Sequence, residues 1–413
     1  MHKNYVVLEV YIYSINELLY SIMTIEHYNL RSYTPKGYPV RHKRKEPFNP
    51  IIRVPDDYAK RTRRIRMLDL DLDRFVLRES DYWDLVIGAY SSNVHWSTKL
   101  EGNPVSEDEV KRITIETFRG RRVEKPVGPR QEIINHLTRL MFPDKYALPW
   151  THDHILKLHK YLMKGTGGSA KSGVYRNEHS AVKDSSGMEI LIPAPPERIA
   201  EEMGFLLDWM NGSALACDSV VAATVFFHEF ESIHPFEDGN GRTGRCLFHL
   251  FLQNWDLQNS HLCKIEFELL NDAETYYQLL AYADDTGSYA PLIDLVSSAI
   301  LRSYEKAHET LSKKDLLSSE LDEGSKRLLK MAKEHGQWFS VAEAERWASS
   351  VGSQTIRNKL NNLGAIGALD KQGRTRSCRF RIKDPLEQAR QRLEPRHVVS
   401  KSQQPKSGPS DSP

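Results

Sequence analysis

The sequence predicts a mainly α protein: a helical bundle with a small β-hairpin, followed by a small α+β unit in winged-helix order. Three observations carry this. Apolar residues return at helical spacing through most of residues 82–310. The run Ile190-Leu191-Ile192 is closed by Pro193-Ala194-Pro195-Pro196 and reads as a short hairpin strand. Beyond a polar stretch at 312–323, three short helical patterns precede a second hairpin.

Taken in order, residues 1–60 read as an N-terminal arm with little periodicity. Basic runs at Arg41 to Lys45 and Arg61 to Arg66 extend this loop-like character to residue 66. The bundle is expected over 61–311. Trp83, Val86, Ile87, Tyr90 and Val94 mark a helix over 82–100, stopped by Glu101-Gly102-Asn103-Pro104. Ser106 caps the next helix, with Glu109 as its reciprocal partner. Helices follow at 130–141, 152–163, 198–210 and 219–230. The hairpin within 175–197 should leave one strand edge exposed. Residues 312–323 form a linker, 324–385 the winged unit with its turn at Gly373, and 386–413 a largely disordered tail.

Composition narrows the function classes. The 413 residues carry 57 Lys and Arg against 55 Asp and Glu, a net charge of +2, so bulk charge selects no partner. The four cysteines form no C-x-x-C pair, which argues against a zinc knuckle or disulfide framework and for a cytoplasmic setting. The apolar first 22 residues are interrupted by Glu9, Asn16 and Glu17 and fall short of a membrane span. Met23 is an alternative start that terminal mass spectrometry would settle.

The chemistry concentrates in residues 234–245, His-Pro-Phe-Glu-Asp-Gly-Asn-Gly-Arg-Thr-Gly-Arg. The preceding helix is apolar on nearly every face, so the segment is held rigidly. Asp238-Gly239-Asn240-Gly241 predicts a tight turn that aims backbone N–H groups into a concavity at a helix N-terminus, an anion site. Asp238 suits Mg²⁺, Arg242 and Arg245 suit phosphate oxygens, and His234 can accept a proton near neutrality. His228, Glu229 and His234 do not form a zinc helix, because the histidines stand six apart rather than four.

These residues resemble the Fic motif H-x-F-x-[DE]-G-N-G-R-x-x-R at every specified position: His234, Phe236, Asp238, Gly239, Asn240, Gly241, Arg242 and Arg245. The resemblance implies a protein adenylyltransferase that moves AMP from ATP onto Ser, Thr or Tyr hydroxyls of a protein target and of itself. It implies His234 as general base and Asp238 as holder of Mg²⁺ or Mn²⁺. Gly239, Asn240 and Gly241 would bind the α/β-phosphates, and Arg242 and Arg245 the β- and γ-phosphates. Gly241 stands where phosphate-transferring Doc relatives carry Lys. Ile190, Leu191 and Ile192 are similar to the family's flap, which clamps a target segment by strand addition, and Tyr276 and Tyr277 to its adenine-side pair.

Ser97-x-x-x-Glu101-Gly102 resembles the family's inhibitory pattern [ST]-x-x-x-E-[GN]. It implies that Glu101 pairs with Arg245 and keeps ATP from a productive pose. Two other functions remain open: a hydrolase removing AMP through the same site, and a transcriptional regulator that senses nucleotide. In the winged unit, Arg357, Lys359, Lys371, Arg374, Arg376, Arg379 and Arg381 form a basic cluster. It could meet DNA, while the same unit could equally serve protein docking or a homodimer.

Overall fold

The structure, a computed structural model, describes residues 39–393 apart from 44, 122, 124–125, 168–170, 184–186, 319–320, 349–350 and 375–377. The Met23 start, the tail after Arg396 and Arg376 lie outside the described residues. The chain begins with strand β1 (Val40–Arg41) and helices α1 (Tyr58–Leu72), α2 (Glu79–Lys99), α3 (Glu107–Phe118), α4 (Pro129–Leu140) and α5 (His152–Leu162). Strands β2 (Val182–Lys183) and β3 (Glu189–Ile192) follow, then α6 (Ile199–Asn211), α7 (Ser219–Ile233), α8 (Asn240–Trp255), α9 (Ile265–Leu270), α10 (Ala273–Thr286) and α11 (Ala290–Ser312).

The apolar α7 explains the architecture: it must be covered on nearly every side, and α6, α8, α10 and α11 all pack against it. Val221, Val225, Phe226 and Phe230 lie in that core. Residues 58–66, expected as loop, are instead the first half of α1. Its basic run hides an amphipathic face, with Tyr58, Ile65, Leu68 and Leu72 buried against α11. Arg61 belongs to that face, pairing Asp294 Oδ1 at 2.6 Å and donating to Ser297 Oγ at 2.9 Å. Ser106 Oγ accepts from the Glu109 N–H, but the Glu109 carboxylate pairs with Arg130 at 2.6 Å rather than returning to the cap.

The hairpin is present as an antiparallel pair of β2 and β3, but its strand edge is not free. The sheet order is β1-β3-β2, with β1 lying parallel to β3 in the register Val40↔Leu191 and Arg41↔Ile192. A two-residue strand drawn from a distant basic arm has no sequence signature of its own.

A second core follows, with α12 (Glu323–His335), β4 (Phe339–Ser340), α13 (Val341–Trp347), α14 (Ser353–Ala365), β5 (Leu369–Gln372) and β6 (Arg379–Ile382). Leu329, Phe339, Ile356, Leu360 and Phe380 fill it, and its antiparallel sheet has the order β4-β6-β5. Residues 386–393, expected in the tail, belong to α15 (Pro385–Leu393), which returns to the bundle. Leu386 and Ala389 join the first core, and Arg390 Nε donates to the Met141 carbonyl at 2.7 Å. Leu393 packs against the same core from the next turn, so the spacing 386, 389, 393 is helical but too short to stand out beside the polar tail.

Candidate active site

α7 ends on His234 in a left-handed conformation (φ 52°), the one positive φ outside glycine among the described residues. Such a conformation costs of order 1 kcal/mol or more for a residue with a Cβ, so the surroundings must hold it. They do. Arg176 is buried, and its Nε donates to the His234 carbonyl at 2.8 Å. Its other nitrogens reach the carbonyls of Glu178, Ala194 and Ile233. One guanidinium thus ties the histidine to the hairpin stem.

His159 locks the other side. Its ring stacks on Phe236 at 3.7 Å, Nε2 meets the Asp238 carbonyl at 2.9 Å, and Nδ1 accepts from the Gly173 N–H. Burial lowers its pKa to about 4, so it serves as a neutral brace. The side chain of Asn240 turns back onto Phe236, with Oδ1 accepting from its N–H and Nδ2 donating to its carbonyl, both at 2.8 Å. The amide expected at the phosphates therefore shapes the loop instead, because a buried backbone pair one turn away needs both its ends.

The His234 Nδ1 faces the Glu231 carbonyl at 3.3 Å, which makes Nδ1 the protonated nitrogen and leaves Nε2 as acceptor. Burial lowers the His234 pKa to about 4, so the imidazole is neutral at physiological pH. If it acts as base, the rate of the Glu101→Gly chain stays flat from pH 8 to about 5 and falls as His234 protonates below that. A profile with its midpoint near the ordinary histidine value would contradict this; kcat/KM against pH is the measurement.

Opposite lies the N-terminus of α8. Gly239 adopts φ 83°, and a Cβ there would stand 2.6 Å from Met163 Sδ. A Cβ on Gly241 would overlap the Glu101 carboxylate, so that carboxylate lies directly against the helix start, where unpaired N–H groups favour an anion. Arg245 is buried at the same place, donating from Nη2 to Glu101 Oε1 at 2.7 Å and from Nε to Ser97 Oγ at 2.9 Å. Burial opposes its charge, but Glu101, Tyr276 and Glu266 outweigh that and hold its pKa above the ordinary value. The structure thus brings Ser97, Glu101, Gly241 and Arg245 together.

Arg242 lies between Asp238, whose Oδ1 it meets at 2.5 Å, and Glu132 at 3.2 Å. Asp238 is half exposed, and the Gly239 N–H also donates to its Oδ1. No group of three or more His, Cys, Asp or Glu side chains with metal-ligand geometry occurs among the described residues. A single open carboxylate nevertheless fits Mg²⁺, which commonly takes one or two carboxylates and completes its shell with substrate phosphates and water.

The tyrosine pair divides. Tyr277 is 42% exposed, whereas Tyr276 is sealed in the core beside Arg245 and Glu231. Adjacent helical residues point about 100° apart, so only one can face an opening. Sequence reasoning missed Arg176, His159 and Glu231. Burial raises the Glu231 pKa to about 8, and its Oε1 lies so close to Gly244 that a Cβ there would stand 2.6 Å away. The signal for Glu231 was its place one turn before His234.

A buried helix that ends on a left-handed histidine and reopens through a glycine turn into a second buried helix forms the centre of a helical bundle. Residues 149–252 match the model of the Fic/DOC family, so this stretch of the chain is a Fic domain. The protein adenylyltransferase fic-1 of Caenorhabditis briggsae is 28% identical over 170 residues, 40% of this chain and 32% of that protein. The protein adenylyltransferase Fic of Nematostella vectensis is 25% identical over 228 residues, 52% of this chain and 48% of its own. The chain thus spans about a third to a half of these relatives' lengths. A crystal structure of a Fic family protein from Desulfovibrio desulfuricans G20 shares the fold, with a TM-score of 0.54 at 21% identity, over 81% of this chain and 98% of that chain. No helix among the described residues is long and apolar enough to cross a membrane.

Proposed function

We propose that this protein transfers AMP from ATP to a hydroxyl side chain of a protein target. The observation that carries the reading is a neutral, buried imidazole beside an anion cradle that a carboxylate already occupies. The names of the adenylyltransferase relatives support the same class.

In this reading His234 Nε2 takes the proton from the acceptor hydroxyl, whose oxygen attacks the α-phosphorus. The bond from that phosphorus to the α–β bridging oxygen breaks, and pyrophosphate leaves. The N–H groups at the start of α8 bind the phosphates through backbone geometry that Gly239 and Gly241 permit. Arg245, once free of Glu101, would neutralise the terminal phosphates, with Arg242 beside it. Asp238 would hold a Mg²⁺ or Mn²⁺, which supplies positive charge to the phosphates. Tyr277 offers the open aromatic face for adenine, and β3 lies where an extended acceptor segment would run.

The C-terminal unit reads as a winged helix-turn-helix used for docking rather than for DNA. Two cations of its basic cluster are engaged internally, Lys359 with Asp322 and Arg381 with Glu387 and Asp370.

ATP labelled separately at the α and γ positions tests the reaction class. Label should reach protein only from the α position; label arriving only from γ would mean phosphate transfer and would overturn the proposal.

A further inference from the structure

The arm around residues 40–48 is sewn into the catalytic half of the molecule. Val40 is buried, and Phe48 packs edge-on against Trp209 with ring centroids 5.3 Å apart. His42 bridges Ser232 Oγ at 2.8 Å and Glu202 Oε2 at 2.5 Å, both buried. Lys45 Nζ meets Glu229 Oε2 at 2.5 Å and Tyr289 OH at 2.7 Å. Ser232 and Glu229 lie on α7, and Ser232 is two residues from His234.

These anchors fix which side of β3 the arm takes. β2 covers one edge; β1 covers the other, and the segment immediately after β1 touches α7 through His42 and Lys45. The pairing ends with the His42 N–H donating to the Ile192 carbonyl at 2.9 Å. Two residues further on, the Ala194 carbonyl shares the Arg176 guanidinium with the His234 carbonyl. The β3 edge facing the catalytic helix is therefore joined to the catalytic residue by one side chain, and the chain's own arm fills it.

An extended polypeptide binds a sheet edge through main-chain hydrogen bonds, which requires unpaired N–H and C=O groups along that edge. We propose that Val40–His42 is an internal occupant of the acceptor site. An extended, hydroxyl-bearing segment gains the β3 edge only when this strand leaves it, a restraint separate from that at Arg245. The inference rests on the reading that acceptors run along β3. The strand suits the role: it is short enough to displace, having few backbone bonds, yet His42 and Lys45 tether it, so it competes intramolecularly at high effective concentration.

The test uses the Glu101→Gly chain, in which nucleotide access is not limiting. Two further changes open the edge, deletion of residues 1–41 and, should that deletion impair folding, Val40→Pro in the full chain, which removes a backbone donor. The acceptor is a synthetic peptide copying residues 28–38, which carries three tyrosines, one serine and one threonine. With α-labelled ATP, either change should lower the KM for peptide about tenfold or more, the equivalent of losing a competing strand of one or two net hydrogen bonds. The KM for ATP should not move. Labelling that proceeds with an unaltered peptide KM overturns the arm proposal and leaves AMP transfer standing. No α-label on peptide or on the chain itself, in any variant that binds ATP, overturns both.

Discussion

Replacing Glu101 with glycine should raise labelling by α-labelled ATP roughly thirtyfold or more, because a charge-assisted hydrogen bond worth about 2 kcal/mol then no longer favours the closed pose. The physical cause is competition for one site. The Glu101 carboxylate lies against the start of α8 at Gly241 and accepts from Arg245 Nη2 at 2.7 Å. A nucleotide phosphate would need both the helix start and that guanidinium. The Glu101 side chain is about a quarter exposed, so solvent screens part of the pair's strength. Arg245 does not lose its footing in the variant, since Ser97 still receives Nε and its carbonyl still receives Nη2, each at 2.9 Å. The site should therefore open without collapsing. Initial rates of self-labelling in wild type and Glu101→Gly at matched ATP provide the measurement, and equal rates would remove the restraint from the account.

How much of this was legible in the sequence follows from the range of the interactions. The twelve residues from His234 to Arg245 are consecutive, and their turn needs glycines that are visible as letters. The pairing of Glu101 with Arg245 spans 144 positions and was readable only through resemblance to a motif. Arg176 and His159 act through backbone carbonyls and amides of other segments, and a carbonyl has no signature in a sequence. Both side chains are buried, which an arginine or histidine letter alone does not announce.

The arm was the largest misreading, and the reason is instructive. Arg61 to Arg66 read as solvated charge, yet one arginine of that run lies in the core because Asp294 waits for it on α11. His42 and Lys45 sit in the other run and pair with the buried carboxylates of Glu202 and Glu229. A charge run is a solvated face only where no buried carboxylate opposes it. Asn240 fails in the opposite sense: its place in the turn was readable, but whether its amide faces ligand or loop depends on which backbone groups the fold leaves unpaired.

Replacing His234 with alanine should lower transfer by about 10²–10⁴-fold, the usual contribution of a positioned general base, while leaving ATP binding in place. Two features separate this from a structural effect. The histidine's backbone is left-handed, and alanine has no better access to that region than other residues with a Cβ, so some loss of stability accompanies the change. Asparagine is among the residues that visit the left-handed region most readily, so His234→Asn keeps the turn while removing the acceptor nitrogen. The Arg176 contact is to the backbone carbonyl of residue 234 and survives both substitutions. The comparison is made in the Glu101→Gly chain, with nucleotide affinity and label transfer measured on the same preparations. Both variants should bind nucleotide as their parent does and transfer almost none. Transfer by His234→Asn at the parent's rate would show that the imidazole does not move the proton, and the base would have to be sought elsewhere in the pocket.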